Sequence, residues 1–125
     1  MAMPRKYLRP IIIDSVSYLW RVHRYENDAL PYLQIEVVNE EQSGPSLTTY
    51  VDLYTIQRGP AFGPQGVKVE YFSCHVTPAM VRELILYGLA HGWDPIARTK
   101  PLSVEPAKAS PTLVAAIQPE VSASW

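Results

Sequence analysis

Four side chains are candidates for metal ligation or for acid–base and nucleophilic chemistry. They are the histidines His23, His75 and His91 and the single cysteine, Cys74. A metal site needs three or four ligands that converge on one point. Cys74 and His75 are neighbours in a stretch that is typical of a strand, so their side chains point to opposite faces and cannot chelate one ion together. No His-x-His, His-Glu-x-x-His or Cys-x-x-Cys spacing occurs. We therefore predict no metal site and no bound cofactor.

Cys74 could be a nucleophile only if a base lies within hydrogen-bond reach. His23 could meet it across strands, but nothing in the sequence brings the two together. Free cysteine is among the most buried residue types, so we interpret Cys74 as a structural thiol. A single cysteine allows no intrachain disulfide, which fits a reducing compartment.

Three carboxylates fall on the outward face of predicted strands: Glu36, Asp52 and Glu70. Paired carboxylates can carry out acid–base chemistry. The same face also holds the bases Arg21, His23 and Lys68. We therefore interpret these side chains as solvated ion pairs between neighbouring strands, which also explains the uneven distribution of charge along the chain.

The overall charge argues against a nucleic-acid-binding protein, and the short apolar runs argue against a signal peptide and a membrane span. The formal net charge is −1 and the sequence pI is about 6.3, whereas a nucleic-acid-binding protein usually needs a basic footprint. The opening residues MAMPRKYLRP are not followed by a long apolar run, and IIIDSVSYLW is too short and too polar to span a bilayer. We expect no nucleic-acid partner, no signal peptide, no membrane association and a cytoplasmic location.

Five stretches alternate between apolar and polar residues or are rich in β-branched residues, as strands are: PIIID, SYLWRVHRY, YLQIEVV, LTTYVDLYTI and VKVEYFSCHV. Segments rich in Gly, Pro, Asn and Ser separate most of them, which favours antiparallel neighbours. KPLSVE could add a short strand at the sheet edge. The inward residues include Trp20, Val22, Leu33, Ile35, Val51 and Leu53.

The spacing becomes helical in TPAMVRELILYGLAHGW, where the apolar stripe comprises Val81, Leu84, Ile85 and Leu89. Thr77 suits the N-cap position, and Pro78 suits the first helical position because a proline lacks the N–H that would be unpaired there. Gly92 can adopt the left-handed conformation that ends a helix, and Pro95 prevents the helix from continuing.

Together these elements predict an α+β fold: a mostly antiparallel β-meander of about five strands, with one C-terminal helix packed on one face. The apolar stripe of the helix would contact the inward residues of the strands. We divide the chain into an N-terminal arm (residues 1–9), a single α+β domain (residues 10–105) and a flexible or docking C-terminal tail rich in Pro and Ala (residues 106–125).

Two stretches, IIIDSVSYLWRVHR and VTPAMVRELILYGLAHGWDP, together cover 34 of the 125 residues. They resemble a group of small uncharacterised bacterial proteins with a Tyr-x-Trp-x-Val strand and a closing helix that ends in Gly-Trp-Asp-Pro. The matching positions are Tyr18, Trp20 and Val22, then Thr77, Pro78, Gly92, Trp93, Asp94 and Pro95. Ser15 stands where that group would have a turn glycine. The resemblance implies a shared fold and brings no activity.

The segment Gly92-Trp93-Asp94-Pro95 has the appearance of a functional signature, but each residue also has a structural role. We interpret it as the stop of the helix, with Trp93 folded back on the last turn in a hydrophobic contact. Asp94 could accept hydrogen bonds from the turn backbone or pair with Arg98. A buried Trp93 ring would make its truncation to alanine costly.

The outward sheet face offers the best candidate for function, because aromatic residues stand there among charges and tyrosine is favoured at interfaces. The candidate binding residues are Arg21, His23, Tyr32, Tyr50, Asp52, Tyr54 and Phe72. They favour a non-enzymatic binding module that forms a homodimer or binds a protein or small-molecule partner. The alternative is a small enzyme with a pocket between the sheet and the 57–66 loop, and with His23, Asp52 and Glu70 as its candidates.

Overall fold

The structure, a computed structural model, describes residues 8–27, 30–63, 66–97 and 100–120. Within these ranges the fold is α+β, with mostly antiparallel strands in two sheets and a few short helices. The strands are β1 (Arg9–Ile13), β2 (Val16–Asn27), β3 (Leu30–Asn39), β4 (Leu47–Asp52), β5 (Tyr54–Arg58), β6 (Val67–Ser73), β7 (Leu102–Val104) and β8 (Gln118–Pro119). The α-helices are α1 (Pro78–Ala90), α2 (Pro106–Ala109) and α3 (Pro111–Ala115), and Pro60–Phe62 form a 3₁₀ turn. The predicted fold class is confirmed, whereas the expected single meander of about five strands with one helix is not.

Five strands form the large sheet in the order β1-β2-β3-β4-β7. The first four are antiparallel neighbours, and β1 joins β2 through Asp14 and Ser15. Both residues have positive φ angles, 50° and 67°, as a two-residue type I′ hairpin turn requires. Ser15 therefore adopts the conformation for which a glycine was expected. The stretch KPLSVE does supply the edge strand β7, but β7 runs parallel to β4.

The second sheet has the order β5-β6-β8. LTTYVDLYTI, predicted as one strand, divides at Leu53, where the chain changes its hydrogen-bonding partner. The Leu53 N–H donates to the Pro31 carbonyl in β3 at 2.9 Å, whereas the Leu53 carbonyl accepts from the Phe72 N–H in β6, also at 2.9 Å. The Leu53 side chain is buried in the core. One extended run of chain thus supplies strands to both sheets.

Helix α1 packs its buried residues against one face of the large sheet, which we call the inner face. Its stripe consists of Met80, Val81, Leu84, Ile85 and Gly88. Gly88 allows a close approach, because a Cβ atom there would lie only 2.8 Å from Cδ1 of Leu47. The prediction that Leu89 belongs to the stripe is wrong, since Leu89 is exposed.

The predicted sheet partners of the helix are buried, with one exception. Val22 is exposed, although it shares the inner face of β2 with Trp20. Strand β1 explains the difference, because it begins at Arg9, which pairs with Trp20. Val22 therefore lies beyond the point where β1 covers the edge of β2.

The domain is predicted to end at residue 105, with a flexible or docking tail beyond it. In the structure residues 106–120 pack on the domain: Ala109, Ser110 and Leu113 are buried. Glu83 of α1 holds the segment through both carboxylate oxygens, which accept from Ser110 Oγ at 2.6 Å and Thr112 Oγ1 at 3.0 Å. Strand β8 then pairs with β6. Residues 121–125, and residues 1–7 of the predicted arm, lie outside the described residues.

Both ends of α1 have the predicted signals. Thr77 is the N-cap and Pro78 the first helical residue, so that prediction is confirmed. Gly92 has a φ of 99°, and the Trp93 N–H donates to the Gly88 carbonyl at 2.9 Å, a hydrogen bond of the Schellman motif. Asp94 Oδ1 accepts hydrogen bonds from the Ile96 and Ala97 N–H groups. The segment is therefore a structural stop, as predicted.

The stop also attaches the end of α1 to the loop between β3 and β4. Trp93 is 3% exposed, and its Nε1–H donates to the Pro45 carbonyl at 3.0 Å. Asn39 Nδ2 donates to the Pro95 carbonyl at 2.7 Å. Gly44 lies so close to that carbonyl that any Cβ atom there would clash with it. We call these contacts of Trp93, Asn39 and Gly44 the latch.

We expect Trp93→Ala to lower the free energy of unfolding by about 2–4 kcal/mol, because it removes a buried ring and leaves the Pro45 carbonyl without its donor. Urea denaturation followed by circular dichroism measures the change. Ile96→Ala is the matched control, since Ile96 is exposed three residues further on and should cost almost nothing. Equal effects of the two substitutions would contradict a structural role of Trp93.

Candidate binding face

The face of the large sheet that points away from α1 carries a compact set of aromatic and polar side chains. Cross-strand pairing arranges nine residues of β2, β3 and β4 in three rows, which we call the outer face: Arg21–Glu36–Thr48, His23–Gln34–Tyr50 and Tyr25–Tyr32–Asp52. Residues opposite one another in a ladder point to the same side, because side chains alternate along each strand. The alternate residues of these strands, including Trp20, Ile35 and Val51, supply the core.

Four aromatic rings form a continuous array across the outer face. The ring centroids of His23 and Tyr25 are 4.1 Å apart, and those of Tyr25 and Tyr32 are 5.2 Å apart with the ring planes at 19°. Tyr50 extends the array, with its centroid 6.1 Å from that of Tyr32. These separations suit favourable aromatic contacts, yet Tyr50 is still 48% exposed. The array is therefore ordered by its own contacts and open to a partner.

Polar side chains beside the array are also organised across strands. Arg21 Nε donates to Glu36 Oε1 at 3.1 Å, and Gln34 Nε2 donates to the Tyr50 hydroxyl at 3.3 Å. The first contact confirms that an early basic strand pairs with a later acidic one. Half-exposed pairs of this kind add little stability, so their main effect is to fix the positions of the side chains.

The structure places five of the seven predicted binding residues on the outer face: Arg21, His23, Tyr32, Tyr50 and Asp52. Tyr54 and Phe72 belong instead to the second sheet. Tyr54 pairs with Tyr71, and Phe72 follows Tyr71 in β6, so alternation directs Tyr54 and Phe72 to opposite faces of that sheet. The division of the chain at Leu53 separates these two residues from the rest.

Four members of the outer face were not among the predicted binding residues: Tyr25, Gln34, Glu36 and Thr48. Tyr25 lies two residues after His23 in β2, so continued alternation was a signal that could have found it. Gln34 joins the outer face through its contact with the Tyr50 hydroxyl. That contact depends on the register between β3 and β4, which the hydrophobic pattern alone does not specify.

The residues of the alternative enzyme are not brought together. His23 lies in β2 and Asp52 in β4, with β3 between them and an offset of two residues along the strands, so their backbones are about 12 Å apart at the usual strand spacing and rise. Glu70 lies in the second sheet and pairs with Lys68 at 3.1 Å. Residues 64 and 65 of the 57–66 loop are outside the described residues. Across residues 8–27, 30–63, 66–97 and 100–120, no three His, Cys, Asp or Glu side chains are grouped to hold a metal ion.

Cys74 lies between β6 and α1, half-buried, with its Sγ 3.7 Å from the Leu113 carbonyl. Burial raises the pKa of the Cys74 thiol, because the thiolate would lose part of its hydration. Since the thiolate is the nucleophilic form, a raised pKa makes the thiol less reactive at neutral pH. This environment fits the interpretation of Cys74 as a structural thiol.

We expect the pH–rate profile for alkylation of Cys74 by iodoacetamide to lie at higher pH in the folded protein than in the urea-unfolded chain. The sign follows from the raised pKa, because the folded protein holds the thiol proton to higher pH. The position of the profile, rather than the absolute rate, separates this effect from simple shielding. A folded profile displaced to lower pH would instead reveal an activated nucleophile.

No family model, curated protein or solved structure matches the chain. The resemblance to a group of bacterial proteins thus stays a prediction. Among the described residues, no helix has the length and apolar character needed to cross a membrane.

Proposed function

We propose that this chain is a small binding module whose partner is a second copy of itself, joined through the outer face. The observation that carries the proposal is the array of His23, Tyr25, Tyr32 and Tyr50, which is ordered within the sheet and exposed at Tyr50. Tyrosine is enriched in the cores of interfaces because it combines a large apolar area with a polar tip. Two such arrays can contact each other around a two-fold axis.

The charges of the outer face favour a second copy of the chain, rather than a nucleic acid, as its partner. Arg21 supplies a positive group, whereas Glu36 and Asp52 supply negative groups, so the face carries both signs. A two-fold axis places each patch against itself, and a patch with both signs can complement its copy. The two carboxylates would repel the backbone phosphates of a nucleic acid. The chain's net charge of −1 opposes association only weakly.

The proposal also fits a cytoplasmic location. The thiol of Cys74 is free, and a reducing compartment keeps such a thiol reduced. An enzymatic alternative finds less support, because His23, Asp52 and Glu70 lie on different strands and in different sheets.

Light scattering after size-exclusion chromatography measures the mass in solution, and we expect twice the chain mass of 14.1 kDa. Tyr50→Lys should give the monomer mass, because it places a charge in the centre of the interface. The matched control is Tyr71→Lys, since Tyr71 is exposed to a similar degree but lies in the second sheet. It should leave the dimer intact.

Two outcomes would overturn the proposal: a wild-type monomer throughout the micromolar range, or a dimer that Tyr71→Lys disrupts and Tyr50→Lys does not. Thermal unfolding of both variants shows whether the monomer retains its fold. A variant that loses mass without losing its fold supports the outer face as the interface.

A further inference from the structure

Two charged residues of the outer face lie at opposite ends of one diagonal. The rows of this face form a grid with Gln34 at its centre, Arg21 at one corner and Asp52 at the opposite corner. At the usual strand spacing and rise, each corner lies about 8 Å from the centre. The positions of these two charges relative to the centre therefore constrain how a second copy can face the first.

Asp52 lacks the partner that the other carboxylate of the outer face has. Glu36 is paired with Arg21, whereas none of the ion pairs between described residues includes Asp52. Asp52 is exposed and lies directly opposite Tyr32 in the ladder, at the edge of the aromatic array. A second copy that covers Asp52 must supply a positive group, because a carboxylate that is buried without a partner is costly.

Arg21 can bind a second carboxylate in addition to Glu36. Its Nε donates to Glu36 Oε1 at 3.1 Å, and its side chain is 30% exposed. A guanidinium has five N–H donors in a planar fork, so four donors do not belong to that contact. Arg21 thus has the hydrogen-bonding capacity to bridge Glu36 of its own chain and a carboxylate of a partner.

The direction of the two-fold axis decides which residues of two facing copies meet. An axis along the strands places Asp52 opposite the partner's Tyr25, and an axis across the strands places it opposite the partner's Thr48. An axis along the Arg21–Asp52 diagonal places each of these charges against its own copy. An axis perpendicular to that diagonal places Asp52 opposite the partner's Arg21, twice in each dimer. Among these four directions, the last one supplies the positive group that Asp52 requires.

We infer that two Arg21–Asp52 ion pairs, one on each side of the two-fold axis, set the orientation of the two copies. This pairing rests on the proposed dimer and specifies its geometry. Facing sheets lie about 10 Å apart, a gap that an arginine and an aspartate side chain can span together. The strands of the two copies then cross at about 70°, calculated from the same strand spacing and rise. This angle is closer to the orthogonal class of sheet packing than to the aligned class.

Complementation between two charge-reversed variants tests the pairing. Arg21→Glu places a carboxylate opposite the partner's Asp52, and Asp52→Arg places a guanidinium opposite the partner's Arg21. Each variant alone should weaken the dimer about 100-fold or more and give the monomer mass in light scattering, because like charges then meet at two positions. An equimolar mixture of the two should give the dimer mass, since both contacts of the mixed dimer join opposite charges.

The matched controls are Lys68→Glu and Glu70→Arg, which change the net charge by the same amounts in the second sheet. Each should remain a dimer on its own. Circular dichroism verifies the fold of every variant. Arg21→Gln replaces Arg21→Glu if the loss of the contact with Glu36 prevents folding. Its mixture with Asp52→Arg keeps one attractive contact and contains no repulsive one, so it should also give the dimer mass.

A wild-type monomer, or a dimer that Tyr50→Lys leaves intact, would overturn the proposed function and this pairing together. A wild-type dimer that Tyr50→Lys disrupts, but that survives either charge reversal, would keep the outer face as the interface and overturn the pairing alone. Two folded monomeric variants whose mixture stays monomeric would also overturn it. Disruption by Lys68→Glu or Glu70→Arg would do the same, because net charge would then explain the effect.

Discussion

The rest of the fold depends on the packing of Trp93 against the loop between β3 and β4. The indole is buried, and its N–H reaches the Pro45 carbonyl, so the chain that leaves α1 is held beside the residues that lead into β4. Strand β7 then begins where β4 begins, since the Leu102 N–H donates to the Ser46 carbonyl at 3.0 Å. Two strands that start from the same end of a sheet run parallel. The latch thus accounts for the parallel edge of an otherwise antiparallel sheet.

Among the described residues, β2 is much longer than its neighbour β1. Strand β2 spans 12 residues and β1 only 5, so beyond Trp20 the described part of β2 pairs with β3 alone. On one side of this extension, His23 and Tyr25 join the aromatic array. On the other side, Val22 shares the inner face with Trp20 but is exposed.

The features predictable from the sequence are those that local chemistry determines. The cap at Thr77, the stop at Gly92 and the alternation in β3 each depend on a few neighbouring residues, and all are present. The change of partner at Leu53 was not predictable, because Leu53 continues the alternation of β4 without any glycine or proline to mark a break. Five of the seven predicted binding residues lie together on the outer face, as alternation indicated, whereas Tyr54 and Phe72 lie in the second sheet.

The two sheets differ in how much of the core they contribute, and this has a consequence for cooperativity. None of the described residues of β5, β6 or β8 is fully buried, whereas β3 alternates between half-buried and buried residues from Leu30 to Val37 and stays buried to Asn39. Amide hydrogens that exchange through local opening should therefore do so first in the small sheet. The large sheet and α1, which share the core, would exchange together only when the whole chain unfolds. Leu53 is the boundary between these two unfolding units, because its N–H belongs to one sheet and its carbonyl to the other.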